Sequence, residues 1–174
     1  MEKVKRWVGE ISRNHPAYQD ALKLRYDVFF RPFDLPENIT LDKWEATSRH
    51  FAAFADNELV SYGRLTEIKQ GLFSISQMVT RPNRQYKGYG TQVLRQMIAQ
   101  AVKMDAERIS LNARVDFTGF YDKVSYRKVR SSPQPQQEFP TYTWYSDCLK
   151  SGTYILKKHL NTSGIPWIYI AELS

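Results

Sequence analysis

Apolar positions along this chain change period several times, and each change marks the edge of an element. From Val4 to Ile11 the bulky apolar residues, Trp7 and Val8 among them, predict a first strand. Tyr18, Leu22, Tyr26 and Phe29 then recur at helical spacing and predict a core-facing helix. Asn14 or His15 can cap it, and Pro16 suits its first turn, where a missing N–H costs nothing. Arg31-Pro32 and Leu35-Pro36 end it, because proline disfavours α geometry in the residue before it.

From Arg49 the period shortens. His50–Ala55 and Leu59–Leu65 flank Asp56-Asn57, whose short polar side chains favour turns, and together they read as a hairpin. Phe73, Ile75, Met78 and Val79 form a short apolar run between Gly71 and Arg81-Pro82, which suits a strand. Val93, Leu94, Met97, Ile98, Ala101 and Val102 mark one face of a second helix. Ile109 to Val115 alternates as a strand, and Thr118 can cap a short helix reaching Val124.

The segment from Ser131 to Gly152 differs in composition. Its prolines and glutamines argue against a continuous core element, while Phe139, Tyr142, Trp144 and Tyr145 argue against a solvated linker, so an insertion folded over a surface is expected. Ile165 to Ile170 reads as a last strand, at an edge or strand start because of Pro166. Elements in this order predict one α/β domain over residues 1–174, a mixed sheet flanked by helices, with the insertion at 131–152.

Composition narrows the class. At 174 residues the chain is long enough for a single core. Its lone cysteine, Cys148, excludes an internal disulfide and a multi-cysteine zinc site, and no metal is expected. No apolar run reaches signal-peptide or membrane-spanning length, so a soluble cytoplasmic protein is expected. A net charge of +7 fits either a nucleic-acid or anionic surface or a ligand that carries phosphates. The basic residues gather near Gly88 and over Lys123, Arg127, Lys128 and Arg130 rather than in an arginine-rich arm, which favours a local anionic ligand.

The predicted strand–helix junction carries the chemistry. Gln85-Tyr86-Lys87-Gly88-Tyr89-Gly90 sits at the mouth of the second helix, where unpaired N–H groups and the positive end of the macrodipole attract phosphate. Arg81, Arg84, Lys87 and Arg95 surround it with no acidic residue between them in sequence. A loop that needs glycine only for positive φ explains the same two glycines.

Gln85-x-x-Gly88-x-Gly90 resembles the acetyl-coenzyme A loop of the GCN5-related N-acetyltransferases (GNAT), whose pattern is Arg/Gln-x-x-Gly-x-Gly/Ala. It lacks the Gly-Lys-Ser/Thr of a P-loop and the third glycine of a dinucleotide fold. Leu24 to Phe29, His50-Phe51, Glu58-Leu59-Val60 and Gly63-Arg64-Leu65 are similar to the bacterial ElaA-like group. Leu111 to Arg114, Phe120-Tyr121 and Ile165-Pro166 resemble later family segments, with Ser125-Tyr126 standing where Gly-Phe is usual.

The resemblance implies a GNAT-like acyl-CoA N-acyltransferase fold, with a central, mostly antiparallel sheet flanked by helices. Acetyl-CoA would be the acetyl donor. Its diphosphate would meet Arg84, Gln85, Tyr86, Lys87, Gly88, Tyr89, Gly90 and Thr91, and its pantetheine would run by Met78, Val79 and Asn112. A backbone N–H near Met78 or Val79 would polarise the carbonyl, and Tyr121 would protonate the leaving thiolate. An aromatic pair with a hydrogen-bonded hydroxyl is the other reading of Phe120-Tyr121. Glu45, His50, Glu67 and Asp116 are candidate bases, and water is the alternative.

The acceptor would be a primary amine of a small molecule or protein, with the 131–152 segment as its cover or as a partner-binding patch. A monomer or homodimer without membrane or nucleic-acid partners is expected. Two other readings stand beside this one. One is a non-catalytic basic module on the same fold, for RNA or an anionic partner. The other, hinted at by Leu24 to Phe29, is an acyl-homoserine-lactone-synthase-like acyltransferase.

Overall fold

The computed structural model describes residues 4–114, 141–148 and 154–161. In chain order it contains β1 (Arg6–Ile11), α1 (Ala17–Phe29), β2 (Arg49–Ala55), β3 (Glu58–Lys69), β4 (Leu72–Thr80), α2 (Tyr89–Lys103), β5 (Arg108–Arg114), β6 (Thr141–Cys148) and β7 (Tyr154–Asn161). Strand neighbours follow chain order. The β1–β2, β2–β3, β5–β6 and β6–β7 ladders are antiparallel and the β4–β5 ladder is parallel, so the sheet is mixed. Two compact units are distinguished, one of Met1–Thr66 with Gln77–Ala99, the other of Glu67–Ser76 with Gln100–Ser174.

In the first unit, β1 pairs from Arg6 opposite Ala55 to Ile11 opposite His50. The predicted hairpin is present: Asp56 and Asn57 both take positive φ, 49° and 70°, which lets a two-residue turn match the strand twist. Pro16 is the N-cap residue of α1, and the ring of His15 accepts the Ala17 N–H at 3.1 Å, which satisfies one first-turn donor. The face that α1 buries differs from the expected one. Ala17, Tyr18, Ala21, Leu24, Arg25 and Phe29 are buried, whereas Leu22 and Tyr26 are only half-buried. A search for apolar residues skips Arg25, which is fully enclosed, and so rotates the face by part of a turn.

Val60, Tyr62 and Leu65 on β3 and Val93, Leu94 and Met97 on α2 are almost wholly enclosed, each contributing about 2 kcal/mol of apolar transfer. A Cβ on Gly63 of β3 would lie 2.6 Å from both Met78 Sδ and Met97 Cε, so glycine lets β4 and α2 side chains close over this strand. Gln77 interrupts β4 with φ +55°, a left-handed residue inside a strand.

In the second unit, Leu72 to Ile75 of β4 pair with Arg108 to Leu111 of β5. Gly71, at φ +73°, turns the chain into β4 and its carbonyl accepts the N–H groups of Glu107 and Arg108 at 2.8 and 3.1 Å. Strand β5 continues to Arg114, paired with Thr141 of β6.

Residues 141–148 lie within the segment expected to be an insertion. They form β6, a ladder partner of β5 and β7, although proline and glutamine upstream had argued against a sheet element there. The backbone pattern Thr-Tyr-Thr-Trp-Tyr is rich in strand formers, and that local signal outweighs its neighbours. Residues 131–140 and 149–152, the helix expected from Thr118 and the strand expected at Ile165 lie outside the described residues.

Candidate functional site

Residues 81–92 turn the end of β4 into α2. Arg84 N–H bonds to the Arg81 carbonyl at 2.8 Å across a 3-10 turn, and Gln85 returns to an extended conformation, φ −63° and ψ 162°. Tyr86 is then left-handed at φ +60° and Gly88 at φ +85°. Gln92 N–H closes on the Gly88 carbonyl at 3.0 Å, starting the helical ladder, so the N–H groups of the first turn, at Tyr89, Gly90 and Thr91, have no acceptor within the helix. An added Cβ on Gly88 would meet nothing within 4 Å. Its glycine therefore answers a backbone demand and also leaves open space at the helix mouth.

The cations around this loop are less free than the sequence implies. Glu58, at the start of β3, takes Arg84 Nη2 at 2.7 Å and Arg81 Nε at 3.4 Å. That bond raises the Arg84 pKa further, and the Arg84 Nε is enclosed without a partner. Arg81 Nε also donates to the Leu59 carbonyl. Lys87 and Arg95 stay exposed, with Lys87 Nζ 3.4 Å from the Asn83 carbonyl. Arg6 from β1 lies 4.7 Å over the Tyr89 ring and donates to the Lys87 carbonyl, which ties the loop to the first strand. Tyr86 projects a fully exposed ring.

On β4, Met78 is half-buried and Val79 buried, and the Val79 carbonyl accepts the Ser61 hydroxyl at 2.9 Å. The kink at Gln77 immediately precedes them. Gln77 is 2 % exposed, and its Oε1 accepts Arg25 Nε at 3.3 Å.

Arg25 opens a buried charge network that sequence reasoning did not anticipate. Its Nη1 donates to Glu45 Oε1 at 2.8 Å and its Nη2 to the Thr40 carbonyl. Tyr18 also donates to Glu45 Oε1, at 2.7 Å, and Arg64 Nη1 reaches Glu45 Oε2 at 2.7 Å. Arg64 then forks onto both oxygens of Asp42 at 2.8 and 2.7 Å. Two guanidinium groups thus face two carboxylates, which balances the enclosed charge. The signal was present in the sequence as a charged residue inside an apolar helical face.

The network bears on the candidate bases. Burial works to raise the Glu45 pKa, but the Arg25 hydrogen bond and charge outweigh it and hold the carboxyl at about 2, a weak proton acceptor. Burial pushes the His50 pKa below its ordinary value. Its Nδ1 shares a 2.6 Å bond with the Tyr62 hydroxyl and its Nε2 lies 3.2 Å from the Glu45 carbonyl, so both ring nitrogens are engaged. Burial raises the Tyr18 pKa to about 12 and also raises that of Tyr62. Glu67 is exposed and accepts the Gly71 N–H at 3.3 Å. Asn112 belongs to β5 and pairs with Thr143, while Asp116 and Tyr121 lie outside the described residues.

Among the described residues, no group of three or more His, Cys, Asp or Glu could hold a metal ion. No helix there is long and apolar enough to cross a membrane.

Comparison with known proteins bears on the family and the fold. A Bacillus subtilis protein described as the uncharacterized N-acetyltransferase YjcF is 25% identical over 117 residues, covering 67% of this chain and 83% of its own. The crystal structure of an acyl-CoA N-acyltransferase from Pseudomonas aeruginosa superposes with a TM-score of 0.62 at 17% identity, covering 81% of this chain and 97% of that one. Escherichia coli ElaA gives 0.61 at 18% identity, with 77% and 94% covered. A Bacillus subtilis acetyltransferase solved in complex with CoA gives 0.59 at 16% identity, with 84% and 100% covered. Residues 18–126, well over half of the chain, match the acetyltransferase (GNAT) family model, and the protein belongs to that family.

Proposed function

We propose that this protein is an N-acetyltransferase that takes acetyl-CoA as donor and a primary amine, of a small molecule or a protein, as acceptor. One observation carries the donor assignment: Gly88, at φ +85° and with nothing within 4 Å of an added Cβ, opens the mouth of α2 beside its unpaired first-turn N–H groups. The donor's diphosphate would accept from that turn, with Lys87 as an exposed counter-charge and Gln85 and Tyr86 setting the path of the loop. The relative solved with CoA supports the choice of cofactor.

Transfer needs a neutral amine, a polarised carbonyl and a proton for the departing sulfur. The amine nitrogen attacks the thioester carbon, its new C–N bond forming as electrons move to the carbonyl oxygen. The N–H group of Met78 or Val79 would stabilise that oxygen. Collapse breaks the C–S bond, Tyr121 gives its proton to the thiolate, and the amine loses its extra proton to water. With Glu45 bound by two arginines and both ring nitrogens of His50 engaged, water is the better proton acceptor.

The lone Cys148 suits a reducing cytoplasm, and a monomer or homodimer would suffice for this chemistry. The reading as a basic binding module is weakened by Glu58, which occupies both Arg81 and Arg84. Calorimetry with acetyl-CoA, followed by a thiol-release screen of amines, tests the proposal. Saturable acetyl-CoA binding and amine-dependent thiol release support it, whereas RNA binding that falls steeply with salt, without acetyl-CoA binding, overturns it.

A further inference from the structure

A left-handed residue that is not glycine costs on the order of 1 kcal/mol and persists where its surroundings hold it. Gln77 is such a residue in the middle of β4, at φ +55° and 2 % exposed. What holds its side chain is Arg25 Nε, at 3.3 Å. Arg25 is itself fixed three ways, by Glu45, by the Thr40 carbonyl and by stacking 5.6 Å over the Tyr62 ring. Glu45 is fixed in turn by Tyr18 and Arg64. The chain of contacts therefore links α1, the segment before β2 and β3 to one backbone torsion in β4. A kink at Gln77 re-aims the two peptide groups that follow, those of Met78 and Val79.

We propose that Arg25 and Gln77 are positioning residues for acyl transfer: the guanidinium pins the Gln77 amide, the pinned side chain keeps the backbone left-handed, and the kink aims the N–H group of Met78 or Val79 at the acyl carbonyl oxygen. This rests on the acetyl-CoA reading above. The network's investment in buried charge then has a purpose beyond packing, since an apolar core of the same volume would stabilise the fold equally well. Neither residue touches the donor. Their effect reaches it through a peptide N–H group, so loss of the pin changes carbonyl polarisation and turnover while leaving the diphosphate grip intact.

Isotope-edited infrared spectroscopy of acetyl-CoA labelled with carbon-13 at the thioester carbonyl tests this without knowledge of the acceptor. Bound to the wild-type protein, the carbonyl band is expected below its free position, because hydrogen bonds polarise it. Gln77→Leu keeps the volume and removes the acceptor for Arg25. Gln77→Ala removes the side chain and with it the pin, adds no bulk, and serves as the second variant should the leucine one fail to fold. In either, the band is expected to return by more than about half of its displacement, with acetyl-CoA affinity by calorimetry within about twofold of wild type. A wild-type band position in whichever variant folds overturns the proposal, as does a wild-type complex whose band is not displaced at all. Failure of the wild-type protein to bind acetyl-CoA is a different result, and overturns the donor reading itself.

Discussion

Arg25 and Glu45 meet at 2.8 Å with the guanidinium fully enclosed, so removing the carboxylate strands the guanidinium. Glu45→Gln keeps the shape and deletes the charge that faces Arg25 and Arg64. Breaking a buried pair from one side costs about 3–5 kcal/mol, and equilibrium urea unfolding is expected to show a loss in that range. A loss below about 1 kcal/mol would mean that water reaches the site and screens it.

The same carboxylate gives stability an acid-side dependence whose sign is fixed. Glu45 titrates at about 2 in the folded protein against an ordinary 4.5, so its contribution is complete above pH 4.5 and disappears as pH falls towards 2. The shift is worth on the order of 3 kcal/mol. His50 acts in a higher window. Its folded pKa lies below 6.5, so under that pH the unfolded chain takes up a proton that the folded one resists, and stability again falls with pH. Thermal midpoints measured between pH 7 and pH 3 should decrease throughout, and Glu45→Gln should flatten the lower part of that curve. A midpoint that rises on acidification contradicts both assignments.

Most elements near the Gly88 loop were legible because local signals agree there. Asp56-Asn57 between two alternating runs gave the hairpin, and Gly71, Pro82 and Gly88 punctuated the run into α2. What was not legible depends on contacts between distant residues. Nothing in the sequence from Arg81 to Arg95 reveals that Glu58 will cross over to two of its arginines. Arg25 is seven residues beyond Tyr18 on a face that pattern alone reads as apolar, and its partners come from positions 40, 45 and 77. The left-handed turn at Gln77 likewise falls on a residue with no intrinsic preference for it. β6 was missed for the opposite reason, since upstream prolines were allowed to override a run of strand formers.

Tyr121 is the proposed proton donor on the strength of its place in the Phe120-Tyr121 pair alone. Tyr18 and Tyr62, the two enclosed tyrosines of the network, have pKa values raised by burial and bond to Glu45 and His50, which removes them as alternative proton donors to a thiolate. Tyr121→Phe keeps the ring and deletes the proton. Turnover should fall by about a hundredfold or more with acetyl-CoA affinity nearly unchanged. Near-normal turnover in a steady-state assay with a working acceptor would return Tyr121 to a packing role.

Gly88 offers the sharpest separation of a backbone requirement from a ligand requirement. Because an added Cβ would touch nothing within 4 Å, Gly88→Ala creates no clash in the free protein, and its only intrinsic penalty is the left-handed backbone at φ +85°. That penalty is about 1 kcal/mol and appears in the melting temperature. Gly88→Asn is the control, since asparagine tolerates left-handed geometry better and should cost less stability while carrying a larger side chain. If the loop were glycine-bearing for conformation alone, acetyl-CoA affinity would follow stability, and the asparagine variant would bind better than the alanine one. If the open space over Gly88 receives the diphosphate, both side chains occupy it, and affinity falls at least tenfold in each, about 1.4 kcal/mol, with asparagine no better than alanine. Calorimetry on the two folded variants decides between these outcomes.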